Sequence, residues 1–265
     1  MAETMLEFKD VSFSYDTTAN VQNLNVKVEK GDCIAIIGSN GAGKSTFSKL
    51  CNGLLTPTTG DVFVLNKNTR REKVSSLAKH IGFLFQNPDR QICCNTVKEE
   101  IAFSLRNNGI PEDEIKRRVK ATLEEFGFEG KTEPFNLSRG QRQRLCLACL
   151  IALNPEILIL DEPTTGLDYK ECMMMMNRIK QLNENGTTVI MVCHDMEVVL
   201  DFAKTVGAVK PMHSVNNGPV YKFAADQRIT NLHHFQNAGI PFARTHDASF
   251  CATYGGEHVV DVHAI

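Results

Sequence analysis

No basic stripe runs through these 265 residues, and the formal charge is −2. A surface that follows a phosphate backbone needs clustered lysine and arginine, so nucleic acid is not an expected partner. No apolar run is long enough to cross a bilayer. The longest, LCLACLIAL, is cut by Asn154, Pro155 and Glu156 before ILIL resumes. The opening MAETMLEFKD has no basic stretch ahead of an apolar core, so no signal peptide is expected. A disulfide framework is missing too. The nine cysteines are odd in number, irregularly spaced and partly inside apolar runs, where the reduced thiol packs as a small hydrophobe. That usage points to a reducing compartment. Cys146 and Cys149 form a C-x-x-C. On a helix this spacing places two small residues on one buried face, and no second Cys or His pair completes a metal motif, so packing is the expected role.

What is present is an alternation of strands and helices around a glycine loop. Residues 5–30 alternate apolar and polar with a period of two, which predicts antiparallel strands. CIAIIG (33–38) reads as a buried strand and GDVFVLN (60–66) as another; HIGFLFQ (80–86) follows. From about 88 to 150 the period becomes helical. Thr96 with Glu99 forms a capping box. Val97, Ile101 and Leu105 then share one face. Pro111, the acids after it and Gly127 bracket a second helix, whose stripe is Ile115, Val119, Leu123 and Phe126. ILILDEP, a helix over about 168–184 carrying MMMM, and TVIMVCHD restore the strand–helix order of a largely parallel sheet. The expected fold is α/β: a P-loop NTPase core with a mostly parallel sheet, an N-terminal antiparallel β subdomain and an inserted helical subdomain. Residues 1–225 would form that domain. Residues 226–265 would be a tail that makes dimer contacts or is disordered. Pro211 weakens the strand signal after 205, and the histidines of the tail match no ligand spacing.

GSNGAGKST (38–46) fits G-x-x-x-x-G-K-[ST] between a strand and a helix, the context that motif requires. Phosphates need backbone N–H donors at close range, with no side chain in the way. Gly38, Ser39, Asn40, Gly41, Ala42 and Gly43 supply that cradle, and the helix start at Lys44, Ser45 and Thr46 adds positive potential. Lys44 offers a point charge to the β- and γ-phosphates, and Ser45 a hydroxyl to Mg²⁺. Four apolar strands end in polar groups: at Gly38, at Gln86, at Asp161 with Glu162, and at His194. Ligands of open α/β sheets sit at the carboxyl ends of strands, so the four should meet on one edge. Asp161 is expected to bind Mg²⁺, and Gln86 to join the metal shell as a neutral acceptor. Glu162 is expected to act on the attacking water. His194 would sense the γ-phosphate. Tyr15, closing a strand ahead of the loop, is either a surface tyrosine or a platform for adenine.

Ser138 and Gln141 alone would be a capping box. Together with GSNGAGKST, LSRGQRQR, ILILDEP, TGLD and the His of VCHD, they resemble the ordered motif set of ABC-type ATPases over about residues 5–200. The resemblance implies ATP as ligand and a head-to-tail dimer, homo- or heteromeric. In it Ser138, Arg139, Gly140 and Gln141 of one subunit face the γ-phosphate held by the other, and Asp168 communicates across the interface. Arg139 departs from the usual LSGGQ, either as an outward side chain without effect or as a brake on hydrolysis. QNPDRQI followed by TVKEEIAF resembles the energy-coupling factor ATPases, the importer class for vitamins and for cobalt or nickel ions. There this region touches a transmembrane coupling protein, beside a substrate-binding membrane subunit. The chain is then expected on the cytoplasmic face of the membrane. Two alternatives stay open: a soluble, non-transport ABC ATPase, and a nucleotide-gated subunit with weak hydrolysis.

Overall fold

The computed structural model describes residues 3–15, 19–37, 43–193, 195–212, 220–224, 242–244, 250–254 and 257–261. The chain opens with β1 (Thr4–Ser14) and β2 (Ala19–Glu29), antiparallel partners as the period of two predicts. The core strand β3 (Cys33–Ile37) leads to α1 (Lys44–Cys51). β4 (Thr59–Val64) and β5 (Lys67–Asn68) complete a four-stranded antiparallel sheet in the order β2-β1-β4-β5. A short α2 (Val74–Leu77) precedes β6 (Ile81–Leu84).

The helical insertion follows as α3 (Val97–Asn107), α4 (Glu112–Phe126) and α5 (Arg139–Leu153). The Thr96 hydroxyl accepts the Glu99 amide at 3.2 Å, the first half of the expected capping box. The second helix of the insertion has the acids of its first turn and the Gly127 C-cap where the sequence put them. Ile101, Leu105, Ile115, Val119, Leu145 and Cys149 are buried in one core, so the period-3.6 stripes of the three helices close on each other. Burying each such aliphatic side chain contributes about 1.5–3 kcal/mol.

β7 (Ile157–Asp161), α6 (Tyr169–Glu184), β8 (Thr188–Val192) and α7 (Met196–Phe202) return the chain to the main sheet. β7 and β8 are buried along their whole length, as strands covered on both faces must be. β9 (Thr205–Met212) and β10 (Val220–Ala224) finish that sheet, in the order β10-β9-β3-β8-β7-β6. The five strands β9-β3-β8-β7-β6 are parallel and β10 is antiparallel. Pro211 lies within β9, opposite Tyr221, so the doubt it cast on that strand is corrected. In the tail, β11 (Phe242–Arg244), β12 (Phe250–Tyr254) and β13 (Glu257–Asp261) form a separate antiparallel sheet. Along MMMM, Met175 and Met176 are buried and Met174 is exposed. No helix among the described residues is long and apolar enough to cross a membrane.

Candidate active site

Because β3, β8, β7 and β6 are parallel neighbours, their carboxyl ends share one edge. α1 starts at that edge. Its N-cap, Gly43, has φ of 88°, a left-handed conformation that glycine adopts without a Cβ penalty. Lys44 is buried at the start of the helix, while Ser45 is exposed. Gly38, Ser39, Asn40, Gly41 and Ala42, and also His194, lie outside the described residues.

Asp161 ends β7, buried, and its carboxylate takes a hydrogen bond from Ser45. Among the described residues its Oδ1 has no hydrogen-bond partner. Burial pushes the Asp161 carboxyl above the usual range. The Ser45 bond and the charges of Lys49 and Lys44 pull it down, and Glu162 pushes it up. Burial likewise draws the Lys44 ammonium below the usual lysine range, against the attraction of Glu162 and Asp161. Removing charge from water is costly, and this cluster is stable only because opposite charges face each other. An orphaned carboxylate oxygen beside a serine hydroxyl is an oxygen-donor set that suits a hard cation such as Mg²⁺.

Glu162 has φ of 51°, where non-glycine residues are rare and strained by about 1–3 kcal/mol. Its amide donates to the Val192 carbonyl at 3.0 Å, pinning the turn to β8. Its carboxylate accepts Gln86 Nε2 at 2.6 Å and Thr165 Oγ1 at 3.2 Å. Gln86 thus meets Glu162 through its amide nitrogen, and its carbonyl oxygen is the atom with which it would approach a cation. The sequence pattern did not reveal the Thr165 bond or the backbone strain. Thr165 stands three residues after Glu162, and only the turn at Pro163 brings it back.

Ser138 caps α5 in a full capping box: Gln141 N–H to Ser138 Oγ at 3.1 Å, and Ser138 N–H to Gln141 Oε1 at 2.9 Å. Gly140 is buried where an added Cβ would sit 2.6 Å from Glu171 Oε2 and 3.2 Å from Leu167. A Cβ there would have to push aside the ends of the Glu171 and Leu167 side chains. Arg139 is exposed, and its guanidinium lies over Gly166 of TTGLD, so it faces its own chain. Arg142 pairs with Asp89 at 2.7 Å and donates to the Leu137 carbonyl; Arg144 donates to the Phe126 carbonyl at 2.8 Å. Two of the arginines crowding this helix start are thus tied down within the insertion. Asp168 caps α6 by accepting the Glu171 amide at 2.7 Å. Tyr15 is exposed at the end of β1 and packs edge-on against Phe13.

Gln143, one turn further along α5, is fully buried, and among the described residues both ends of its amide lack a partner. An unsatisfied buried amide costs about 1–3 kcal/mol. Gln143→Met, which keeps the volume and removes the polar atoms, is expected to raise the melting temperature by about 2–6 °C. A thermal denaturation of the two proteins, in which the variant melts at or below the parent, would contradict this.

A buried lysine and a serine at a helix start, facing an Asp-Glu pair at the end of a central parallel strand, define a P-loop nucleotide-binding cassette. The helical insertion narrows the class. The family model described as ABC transporter matches residues 21–165, more than half of the chain, and the chain belongs to that family. It is 36% identical to the energy-coupling factor transporter ATP-binding protein EcfA of Methanothermobacter thermautotrophicus, over 92% of this chain and 78% of that protein. It is 43% identical to a protein of Caldanaerobacter subterraneus subsp. tengcongensis, provisionally assigned as an ABC transporter ATP-binding protein. That match covers 87% of this chain but only 41% of the relative's length. Among solved structures, cbiO1 from Clostridium perfringens, part of the ABC transporter complex cbiONQ, is 32% identical with a TM-score of 0.70, covering 78% of this chain and 84% of that one. The dimeric ATP-binding cassette MJ0796, bound to ADP and Pi, is 30% identical with a TM-score of 0.70, covering 77% and 94%.

Proposed function

We propose that this chain is the ATP-hydrolysing subunit of an importer of the energy-coupling factor type, driving uptake of a vitamin or a transition-metal ion through separate membrane subunits. The observation that carries the reading is the Gln86–Glu162 hydrogen bond of 2.6 Å. It joins Glu162, the residue proposed to act on water, to the first residue of the segment that enters the helical insertion. The likeness to EcfA and to a subunit of cbiONQ supports the importer class.

In this reading, the residues of the glycine loop and Lys44 bind the phosphates of ATP. Ser45, Gln86 and Asp161 would hold Mg²⁺, which when bound offsets charge on the phosphate oxygens. Glu162 orients the attacking water and takes its proton. His194 donates to the γ-phosphate, and Tyr15 stacks on adenine. Ser138, Arg139, Gly140 and Gln141 of one cassette face the triphosphate held by a second, with Asp168 at the interface. ATP closes the pair because it binds the closed state more tightly; equal affinity would shift nothing. The Asp89–Arg142 ion pair couples the segment after Gln86 to the helix that carries Ser138. The closed state thereby draws the insertions together against a transmembrane coupling protein at the cytoplasmic membrane face.

Arg90 is exposed in the turn Pro88–Arg90 on that segment. Arg90→Glu is expected to reduce co-purification with an energy-coupling factor membrane protein by about tenfold and to leave hydrolysis by the isolated cassette unchanged. Equal recovery of the membrane protein by both forms would argue for a cassette that works away from a transporter.

A further inference from the structure

Cys93 and Cys94 lie in the loop before α3, and Glu100 in the first turns of that helix. Cys93 is exposed, Cys94 is half-buried and Glu100 is buried. Glu100 Oε2 accepts the backbone N–H of Cys93 at 2.9 Å and of Cys94 at 2.7 Å. Those two bonds hold the carboxylate in place and leave Oε1 4.0 Å from Cys93 Sγ. The two sulfurs are 3.9 Å apart, and one ligand atom from each residue lies within 4.8 Å of the others.

A tetrahedral ion with Zn–S bonds of about 2.3 Å keeps its sulfurs about 3.8 Å apart. The observed spacing therefore already suits a cation's ligand shell. It suits a disulfide poorly. A disulfide normally joins Cα atoms at least about 4.4 Å apart, whereas chain neighbours across a trans peptide are about 3.8 Å apart. We propose that Cys93, Cys94 and Glu100 form a binding site for a thiophilic divalent cation of the Zn²⁺ type, with three protein ligands and a fourth position open to solvent. Loading converts two thiols to thiolates and releases their protons to solvent.

Burial, with Glu100 and Cys93 behind it, pushes the Cys94 thiol up to about 12, so an incoming cation has to displace its proton. Cys146 donates to the Pro88 carbonyl at 3.8 Å and Cys149 is buried, so the C-x-x-C of α5 packs rather than ligates.

The test is titration of the reduced, nucleotide-free full chain with Co²⁺, followed by displacement with Zn²⁺. The expected result is one Co²⁺ per chain, with a thiolate charge-transfer band and the strong visible bands of a tetrahedral ion, and about two protons released. Cys93→Ser and Cys94→Ser are each expected to weaken binding by at least about tenfold and to reduce the charge-transfer band. Asp161→Asn is expected to leave both unchanged. Circular dichroism checks that the variants are folded. Three results would overturn the site: no stoichiometric binding at micromolar Co²⁺, binding without thiolate charge transfer, or binding retained when both cysteines are serine, as a histidine site in residues 226–265 would give.

Discussion

Glu162→Gln is expected to slow ATP turnover by about 10²–10⁴-fold while changing nucleotide affinity little. The amide keeps the shape of the side chain and its position between Gln86 and Thr165. It loses the ability to take a proton from water. A residue held at φ of 51° and pinned to Val192 is placed too specifically for a surface carboxylate, and strain of this kind persists only where surrounding contacts over-determine it. Phosphate release in single and multiple turnovers, beside binding of a fluorescent ATP analogue, separates chemistry from affinity. Equal and equally slow release by parent and variant would remove Glu162 from the chemistry and favour a gating subunit.

Lys44→Ala is expected to weaken ATP binding by about 100-fold or more, the scale of losing one desolvated, charge-assisted contact. Lys44 is buried, and its ammonium already works against burial, held up by Asp161 and Glu162. Without it, two carboxylates remain at the edge proposed to hold the triphosphate, so repulsion would add to the lost attraction. Calorimetric titration with ATP and Mg²⁺ measures the loss, with circular dichroism to confirm folding. Affinity within about threefold of the parent would remove the phosphate role from Lys44.

Much of this was legible because periodicity and punctuation agree locally. ILILD and TVIMV are too short and too apolar for anything but central strands, and both are buried throughout. The Gly127 stop and the Ser138–Gln141 box sit where local chemistry demands them. The meeting of Gln86 with Glu162 was foreseeable, since parallel strands deliver their ends to one edge. Contacts that depend on tertiary approach were not. Arg139 over Gly166, Asp89 on Arg142 and Cys93–Cys94 on Glu100 join residues far enough apart in the chain, or so irregularly spaced, that no motif announces the pairing. Pro211 shows the opposite error: a local breaker tolerated at a strand position set by the sheet.

Arg139 also alters how the α5 tip is read. Its guanidinium covers Gly166 of its own chain. Extra positive charge at a helix start is unfavourable by about 0.3–1 kcal/mol when exposed, and a facing triphosphate would reverse that sign. The capping box holds Ser138 at this tip, and in the proposed pair an anion is the charge that would complement it.

The most direct measurement is the structure of the closed pair formed by Glu162→Gln protein, with its partner cassette, in Mg²⁺ and ATP. The account places Ser138 Oγ about 3 Å from a γ-phosphate oxygen held by the facing cassette. A closed, nucleotide-loaded pair in which Ser138 faces solvent or its own chain's nucleotide would contradict it.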